Sequence, residues 1–255
     1  MKLLFLGDVV GAAGVEFVKK NLWKLKRDNN IDITVINGEN SAQGNGITPE
    51  SFDELIRAGA DVITTGNHCF RRKEMLGLYD ERDDLLRPAN YPEGVIGKGV
   101  VTVDLGRAQV AVVNLMGTVY LDALDNPFSV IDKILSELNT SNIIVDFHAE
   151  ATAEKKAMGY YLDGKVTAVL GTHTHVQTAD EVILEKGTAY ITDVGMTGPE
   201  HSVLGVEKSL AIEKLRKRCP VTFKESSSEC FLNAVIVTFN ERNGRAEAIE
   251  RLIIR

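Results

Sequence analysis

Residues Met1-Lys2-Leu3-Leu4-Phe5-Leu6-Gly7-Asp8 decide the architecture. The apolar run Lys2–Leu6 is compact and ends in Gly-Asp, which reads as a buried strand feeding a loop. The pattern recurs along the chain. Ile31–Ile36 predicts a second strand ending at Asn37-Gly38-Glu39-Asn40, and Asp61–Ile63 a short third ending at Thr64-Thr65-Gly66-Asn67-His68. Asn142–Phe147 ends at His148-Ala149-Glu150, and Val166–Leu170 ends at Gly171-Thr172-His173-Thr174-His175.

Helices fall between these strands. Gly14 to Asn29 sets Phe17, Leu22 and Leu25 among lysines, as an amphipathic helix requires. Thr48 caps a helix that starts at Pro49 and runs to about Ala58. Further helices are expected near Ser129–Leu138 and Glu154–Tyr161. Hairpins are expected from Val100–Leu105 with Gln109–Leu115 around Gly106-Arg107-Ala108, and from Val182–Glu185 with Thr188–Thr192. Cys230–Asn240 and Ala246–Ile254 alternate like paired strands. This order implies a layered α/β fold with mixed sheets, built as one domain over residues 1–255. Leu204 to Ser228 is the most polar and least assignable stretch, and its Lys/Arg cluster reads as a solvated helix face.

Composition excludes several classes. The formal net charge of −7 argues against non-specific nucleic-acid binding and against docking on anionic lipid. Cys69, Cys219 and Cys230 are too few and too scattered for a disulfide framework or a CxxC zinc site, so reduced thiols in a cytoplasm are expected. No segment reaches the ~20 apolar residues of a membrane span, and Asp8 interrupts the N-terminal apolar run before it could serve as a signal peptide.

The chemistry lies in what the strand ends carry. Asp8, Glu39 with Asn40, Asn67 with His68, His148, and His173 with His175 each follow a predicted strand. Open α/β sheets collect ligand sites at those carboxyl ends. Each residue alone has a plainer reading: Asp8 as a turn or cap, Glu39 as a loop acid, His148 as a hydrogen-bonded core residue. Together they form a set of carboxylates, amide oxygens and imidazoles without a thiolate. Such ligation suits iron, manganese, zinc or cobalt better than calcium, and it exceeds what one tetrahedral zinc can use. Two ions ~3.5–4 Å apart would activate water and stabilise phosphoryl oxygens in an in-line displacement.

At these residues the sequence resembles the calcineurin-like metallophosphoesterases, with two departures: Val10 stands where a histidine is usual, and Glu39 replaces the usual bridging aspartate. Those departures are similar to a narrower group, the YmdB-like family of 2′,3′-cyclic nucleotide phosphodiesterases. The similarity runs through Gly7-Asp8-Val9-Val10-Gly11, Asn37-Gly38-Glu39-Asn40, Thr65-Gly66-Asn67-His68, Phe147-His148-Ala149-Glu150, Gly171 to Asp180 and Thr192 to Pro199. The resemblance implies a four-layer α/β/β/α sandwich with two mixed β-sheets. It implies two metal ions, iron first, with manganese, zinc or magnesium as alternatives. Asp8 and His175, with Asn40, would hold one ion, Asn67, His148 and His173 the other, and Glu39 would bridge them.

The expected reaction is attack of a metal-bridging hydroxide on a 2′,3′-cyclic nucleotide, leaving the 3′-nucleotide, with His68 as general acid. RNA ends bearing the same cyclic phosphate are a second substrate form, and a homo-oligomer is compatible with the sequence. Cys69 beside His68 is expected to be a buried thiol rather than a nucleophile. Gln43-Gly44-Asn45-Gly46 and Gly195-Met196-Thr197-Gly198 are expected either to line the substrate pocket or to be plain turns. The competing functions are a phosphomonoesterase or protein phosphatase using the same site, and a metal- and nucleotide-binding regulatory protein with little turnover. A zinc amidohydrolase is disfavoured by Gly66-Asn67-His68 and by the lack of a His-x-His on the first strand.

Overall fold

The structure is a computed structural model that describes residues 1–255. Its strands are β1 (Lys2–Leu6), β2 (Asp8–Val9), β3 (Ile33–Asn37), β4 (Val62–Thr64), β5 (Val100–Asp104), β6 (Gln109–Met116), β7 (Ile143–His148) and β8 (Ala168–Thr172), then β9 (Val182–Ile183), β10 (Ala189–Ile191), β11 (Met196–Pro199), β12 (Cys230–Phe239) and β13 (Ala246–Ile254). The helices are α1 (Gly11–Asn29), α2 (Pro49–Ala58), α3 (Leu76–Glu81), α4 (Pro127–Glu137), α5 (Thr152–Leu162) and α6 (Lys208–Lys217).

Two mixed sheets result. In the first, β1 and β3 run parallel, as do β3 and β4, while β12 pairs antiparallel with β1, β11 and β13. The second runs β5-β6-β7-β8-β10-β9, with parallel pairing from β6 through β10 and an antiparallel strand at each edge.

Side-chain alternation divides the apolar residues into three layers. Leu4 and Leu6 of β1 pack with Val15, Val18 and Leu22 of α1 and with Phe52 and Leu55 of α2. Leu3 and Phe5, on the opposite face of β1, meet Val110, Val112, Ile144 and Leu170 of the second sheet. Ala111, Val113 and Val145 then face Ile131 of α4 and Met158 and Leu162 of α5. Helix, sheet, sheet, helix is therefore the layer order, and the core lies in the three gaps between layers.

The start of α2 shows local sequence setting the backbone. Thr48 accepts from the Ser51 N–H, the Ser51 hydroxyl closes the reciprocal bond, and Pro49 occupies the first turn. Helix α1 starts at Gly11, three residues before the expected Gly14, because Gly11 takes φ 65 and turns the chain directly out of β2.

One expected loop is a strand. Met196 to Pro199 is fully buried as β11, parallel to β2 and antiparallel to β12. Its backbone pairs across 188 residues of sequence, Met196 against Asp8, so Met196-Thr197-Gly198 is not a plain turn but a strand that supports Asp8 from behind. No helix is long and apolar enough to cross a membrane.

Candidate metal centre

The parallel strands β1, β3, β4, β7 and β8 deliver their C-terminal loops to one place, and every side chain singled out in the sequence is there. Glu39 lies at the middle and is buried. Its Oε1 is 3.1 Å from His148 Nε2, 3.3 Å from His68 Nδ1 and 3.1 Å from Asn40 Nδ2. His148 Nε2 also lies 3.1 Å from Asn67 Oδ1 and 3.0 Å from His173 Nδ1. A ring nitrogen carries at most one proton, so hydrogen bonding cannot satisfy all three neighbours of His148 Nε2. Glu39, His148 and His173 offer ligand atoms within 4.8 Å of one another, a group that could hold a metal ion.

A second group borders the same Glu39 oxygen. His175 Nε2 is 3.7 Å from Asp8 Oδ1, and Asn40 Nδ2 lies 3.4 Å from Asp8 Oδ1 and 3.2 Å from His175 Nε2. In this orientation Asn40 turns its Oδ1 away, 3.0 Å from His68 Nδ1. The donor set fits cations on electrostatic grounds as well. Burial pushes the Asp8 carboxyl up from its ordinary value despite the pull of His175 and His148. Burial resists ionisation of Glu39, yet His148 and then His68 hold its carboxyl well below the usual range. Burial also opposes charge on His148, but Glu39 followed by Asp8 and Asp146 raises it to about 9. Burial and the adjacent His148 lower His173 to about 3. His173 thus keeps a free lone pair. His175 Nδ1 is shut from solvent without a hydrogen-bond partner.

Buried carboxylates behind the cluster set its geometry. Asp146, inside β7, accepts from Asn37 Nδ2 at 3.0 Å and from the Thr64 and Thr172 hydroxyls, tying the two sheets together directly beneath the site. Burial pushes its own carboxyl up to about 6. The Thr172 hydroxyl donates its single proton to Asp146 at 2.7 Å, so it can only accept from His148 Nδ1, 2.9 Å away. This holds an Nδ1–H of His148 outward and turns Nε2 to the cluster, where the proton that Glu39 keeps on it is the one a bound cation would displace. Glu150 Oε2 does the same for His173, 3.0 Å from Nε2, leaving Nδ1 facing inward.

The His173-Thr174-His175 turn is strained. His173 has φ 103 and His175 φ 65, values that favour glycine. This bend lets both rings of a His-x-His pair reach one centre where an extended strand would point them apart. The turn is held by Asp8 Oδ2, which accepts from the His173 N–H at 3.0 Å, and by Asp193. Asp193 Oδ2 accepts from the Thr174 N–H at 2.9 Å and its hydroxyl at 2.8 Å, and forms a buried ion pair with Lys155 Nζ at 2.7 Å. Close approach also demands Gly66: a Cβ there would sit 2.2 Å from His148 Cδ2 and 2.5 Å from Glu39 Oε2.

His68 is partly exposed at the rim, with its backbone N–H donating to Glu39 Oε2 at 3.1 Å. Cys69 is buried beside Tyr91, and burial pushes its thiol up to about 12, which makes it inert as a nucleophile. Asp146, Lys155 and the roles of Asp193 and Glu150 escaped the sequence reading. Asp146 carried a usable signal, a charge inside the otherwise apolar strand Ile143–His148. A cavity of about 550 Å³ opens beside Asn40 and His175, lined on one side by Gln43, Gly44 and Asn45.

The fold is shared with a calcineurin-like phosphoesterase. The backbone superposes on the calcineurin-like phosphoesterase YfkN from Bacillus subtilis with a TM-score of 0.58, at 12% identity, over 100% of this chain and 90% of that one. The chain belongs to the YmdB-like protein family, whose model matches residues 4–252. It is 46% identical over 256 residues to the 2′,3′-cyclic-nucleotide 2′-phosphodiesterase of Bacillus subtilis (strain 168), covering 100% of this chain and 97% of that protein. It is also similar to the crystal structure of a novel phosphatase from Mycoplasma pneumoniae, with a TM-score of 0.95 and 35% identity over 100% of this chain and 93% of that one.

Proposed function

We propose that this protein hydrolyses 2′,3′-cyclic nucleotides to 3′-nucleotides at a di-metal centre, iron being the first expectation and manganese, zinc or magnesium the alternatives. The observation that carries the reading is Glu39 Oε1 standing between two groups of inward-facing ligand atoms. Asp8, His175 and Asn40 would hold one ion, Asn67, His148 and His173 the other, with Glu39 shared. Bound there, the ions would supply Lewis acidity to the phosphoryl oxygens and bring the pKa of water towards ~7.

The chain's own residues then have separate tasks. Thr172 and Glu150 hold His148 Nδ1–H and His173 Nε2–H outward, so that His148 Nε2 and His173 Nδ1 face the cluster. Asn40 can offer oxygen to the Asp8 side only with its amide turned over. With the amide turned, an Nδ1–H of His68 still has Glu39 Oε1 as an acceptor at 3.3 Å, so the doubly protonated ring would pass its Nε2 proton to the departing ribose oxygen and be left as neutral imidazole. Asp193 and Asp8 hold the strained histidine turn in place. With free cysteines and no membrane-crossing helix, we assign the work to a reducing cytoplasm.

The test is to incubate the purified protein with 2′,3′-cyclic AMP and added manganese or iron and to identify the product. The expected product is 3′-AMP. Turnover of 3′-AMP or p-nitrophenyl phosphate without any cleavage of the cyclic diester would replace this reading with a phosphomonoesterase.

A further inference from the structure

The cavity beside the metal centre lies under two paired limbs of chain. Glu207 N–H donates to Lys224 O and Ser226 N–H to Gly205 O, both at 2.9 Å, so residues 203–207 and 224–226 form a strap whose bridge is Val206 with Glu225. The cavity shares Asn40 and His175 with the metal centre, and its volume of about 550 Å³ lies within the roughly 300–1,000 Å³ of small-molecule sites.

The strap meets the cavity through a tight turn. Val203 and Val206 exchange both backbone hydrogen bonds, at 2.9 and 3.0 Å, around Leu204 and Gly205, which take φ 56 and φ 94. Two-residue turns of this kind favour Asn-Gly, Asp-Gly or Gly-Gly at their centre. Gly205 is dictated by contact as well as by conformation, since a Cβ there would lie 2.4 Å from Val10 Cγ1. The valine that stands where a metallophosphoesterase usually has histidine is thus the apolar seat of the strap. Neither reason applies to Leu204. A leucine in the left-handed region is costly, and burial does not offset the cost, because the residue stays 47% exposed. It lines the cavity, as does His175, which is held at positive φ in the ligand turn with His173. Phe223 joins the same wall and is 44% exposed. Lys214 Nζ stands over one face of its ring, 4.6 Å from the centroid, and does not line the cavity, so the ring divides lysine from cavity.

We infer that Leu204 and Phe223 form an apolar clamp for the nucleobase of the substrate, gripping its flat face and not reading its edge. The inference rests on the cyclic-nucleotide reading above, in which the metal centre would hold the phosphate while the base reaches under the strap. An aromatic ring and a branched aliphatic side chain gain from dispersion and from apolar area removed from water. Every base has such a face, so stacking tolerates all of them. The clamp therefore separates nucleotides from bare sugar phosphates and does little to separate one base from another.

Two measurements test this. The first compares the affinity of the metal-loaded wild type for 3′-AMP, 3′-UMP and 1-O-methylribose 3-phosphate by calorimetry. Both nucleotides are expected to bind about tenfold or more tightly than the sugar phosphate. The second uses Leu204→Asn, because asparagine tolerates the left-handed region that strains leucine. Its Tm is expected at or above that of the wild type and its affinity for inorganic phosphate close to it. Its affinity for 3′-AMP is expected to fall several-fold, with KM for 2′,3′-cyclic AMP rising more than kcat falls. Equal binding of nucleotide and sugar phosphate by the wild type overturns the inference without any variant, so a misfolded L204N does not shelter it. An L204N protein that loses Tm and phosphate affinity along with nucleotide affinity also overturns it, by making Leu204 an anchor of the strap. So does one that keeps its nucleotide affinity and changes only its oligomeric state in the ultracentrifuge, which would give this face to a second copy of the chain. Nucleotide preference without any cyclic-nucleotide turnover would sink the diesterase reading alone. Turnover with nucleotide and sugar phosphate bound alike would sink the clamp alone.

Discussion

The strand-end loops around Glu39 and the strap of residues 203–226 border the same cavity but are built in opposite ways. Around Glu39 the backbone is short, strained and pinned by buried carboxylates, with Asp146, Asp193 and Asp8 each accepting from loop or strand groups. The strap is mostly exposed, buries only Ala211 within α6, and leaves Ile212 and Leu215 in solvent. The contrast separates two requirements. Ligand positions must be held to fractions of an ångström, whereas a cavity wall can be lightly packed.

The comparison can be broken by mutation. The largest effect is expected from His68→Ala, which should lower turnover of the cyclic substrate about 10²- to 10⁴-fold while metal content stays near wild type; equal loss of both would return His68 to a structural role. Next, Lys155→Ala strands the Asp193 carboxylate in the core and should cost about 3–5 kcal/mol in urea denaturation, because one partner of a buried pair is left uncompensated. Thr172→Val removes the hydroxyl that accepts from the His148 Nδ1–H and should weaken metal affinity roughly 10- to 100-fold. On the strap, Leu215→Asp on exposed α6 should change stability by no more than about 0.5 kcal/mol. A strap substitution as damaging as Lys155→Ala would abolish the distinction.

How much of this was legible in the sequence follows from the same contrast. Asp8, Glu39, Asn67, His148 and the His173/His175 pair could be placed because each follows an apolar run that reads as a strand, and parallel strands deliver their ends to one side. Thr48 and Pro49 marked the start of α2 because capping is local chemistry. Strands β2 and β11 were hidden: a two-residue and a four-residue strand carry no periodicity, and their pairing joins residues far apart in the chain. The Thr192 to Pro199 stretch was singled out, but the role of Asp193 within it was not readable, since its Lys155 partner lies 38 positions away on another element. The bend that gathers His173 and His175 is backbone strain, and no side-chain pattern announces it.

A smaller effect separates the supports from the site itself. Burial opposes ionisation of Asp180, but hydrogen bonds from the Thr192 and Thr178 hydroxyls outweigh it and lower the carboxyl to about 2. A depressed folded-state pKa adds stability that is present above the ordinary value near 3.8 and is lost as pH falls through about 2. Asp180→Asn should therefore flatten acid denaturation in that window and leave neutral-pH stability modestly reduced, as seen by circular dichroism across a pH series.

The most direct test of the account is elemental analysis of metal-reconstituted wild-type protein and Glu39→Ala, with cyclic-nucleotide turnover measured on the same samples. A shared Glu39 between two ligand groups predicts two ions per chain in the wild type. It predicts depleted metal in the variant and a loss of turnover greater than the roughly 100-fold that a missing supporting partner costs. A wild type fully active with a single ion, or a Glu39→Ala protein that keeps both its metal and its turnover, would contradict it.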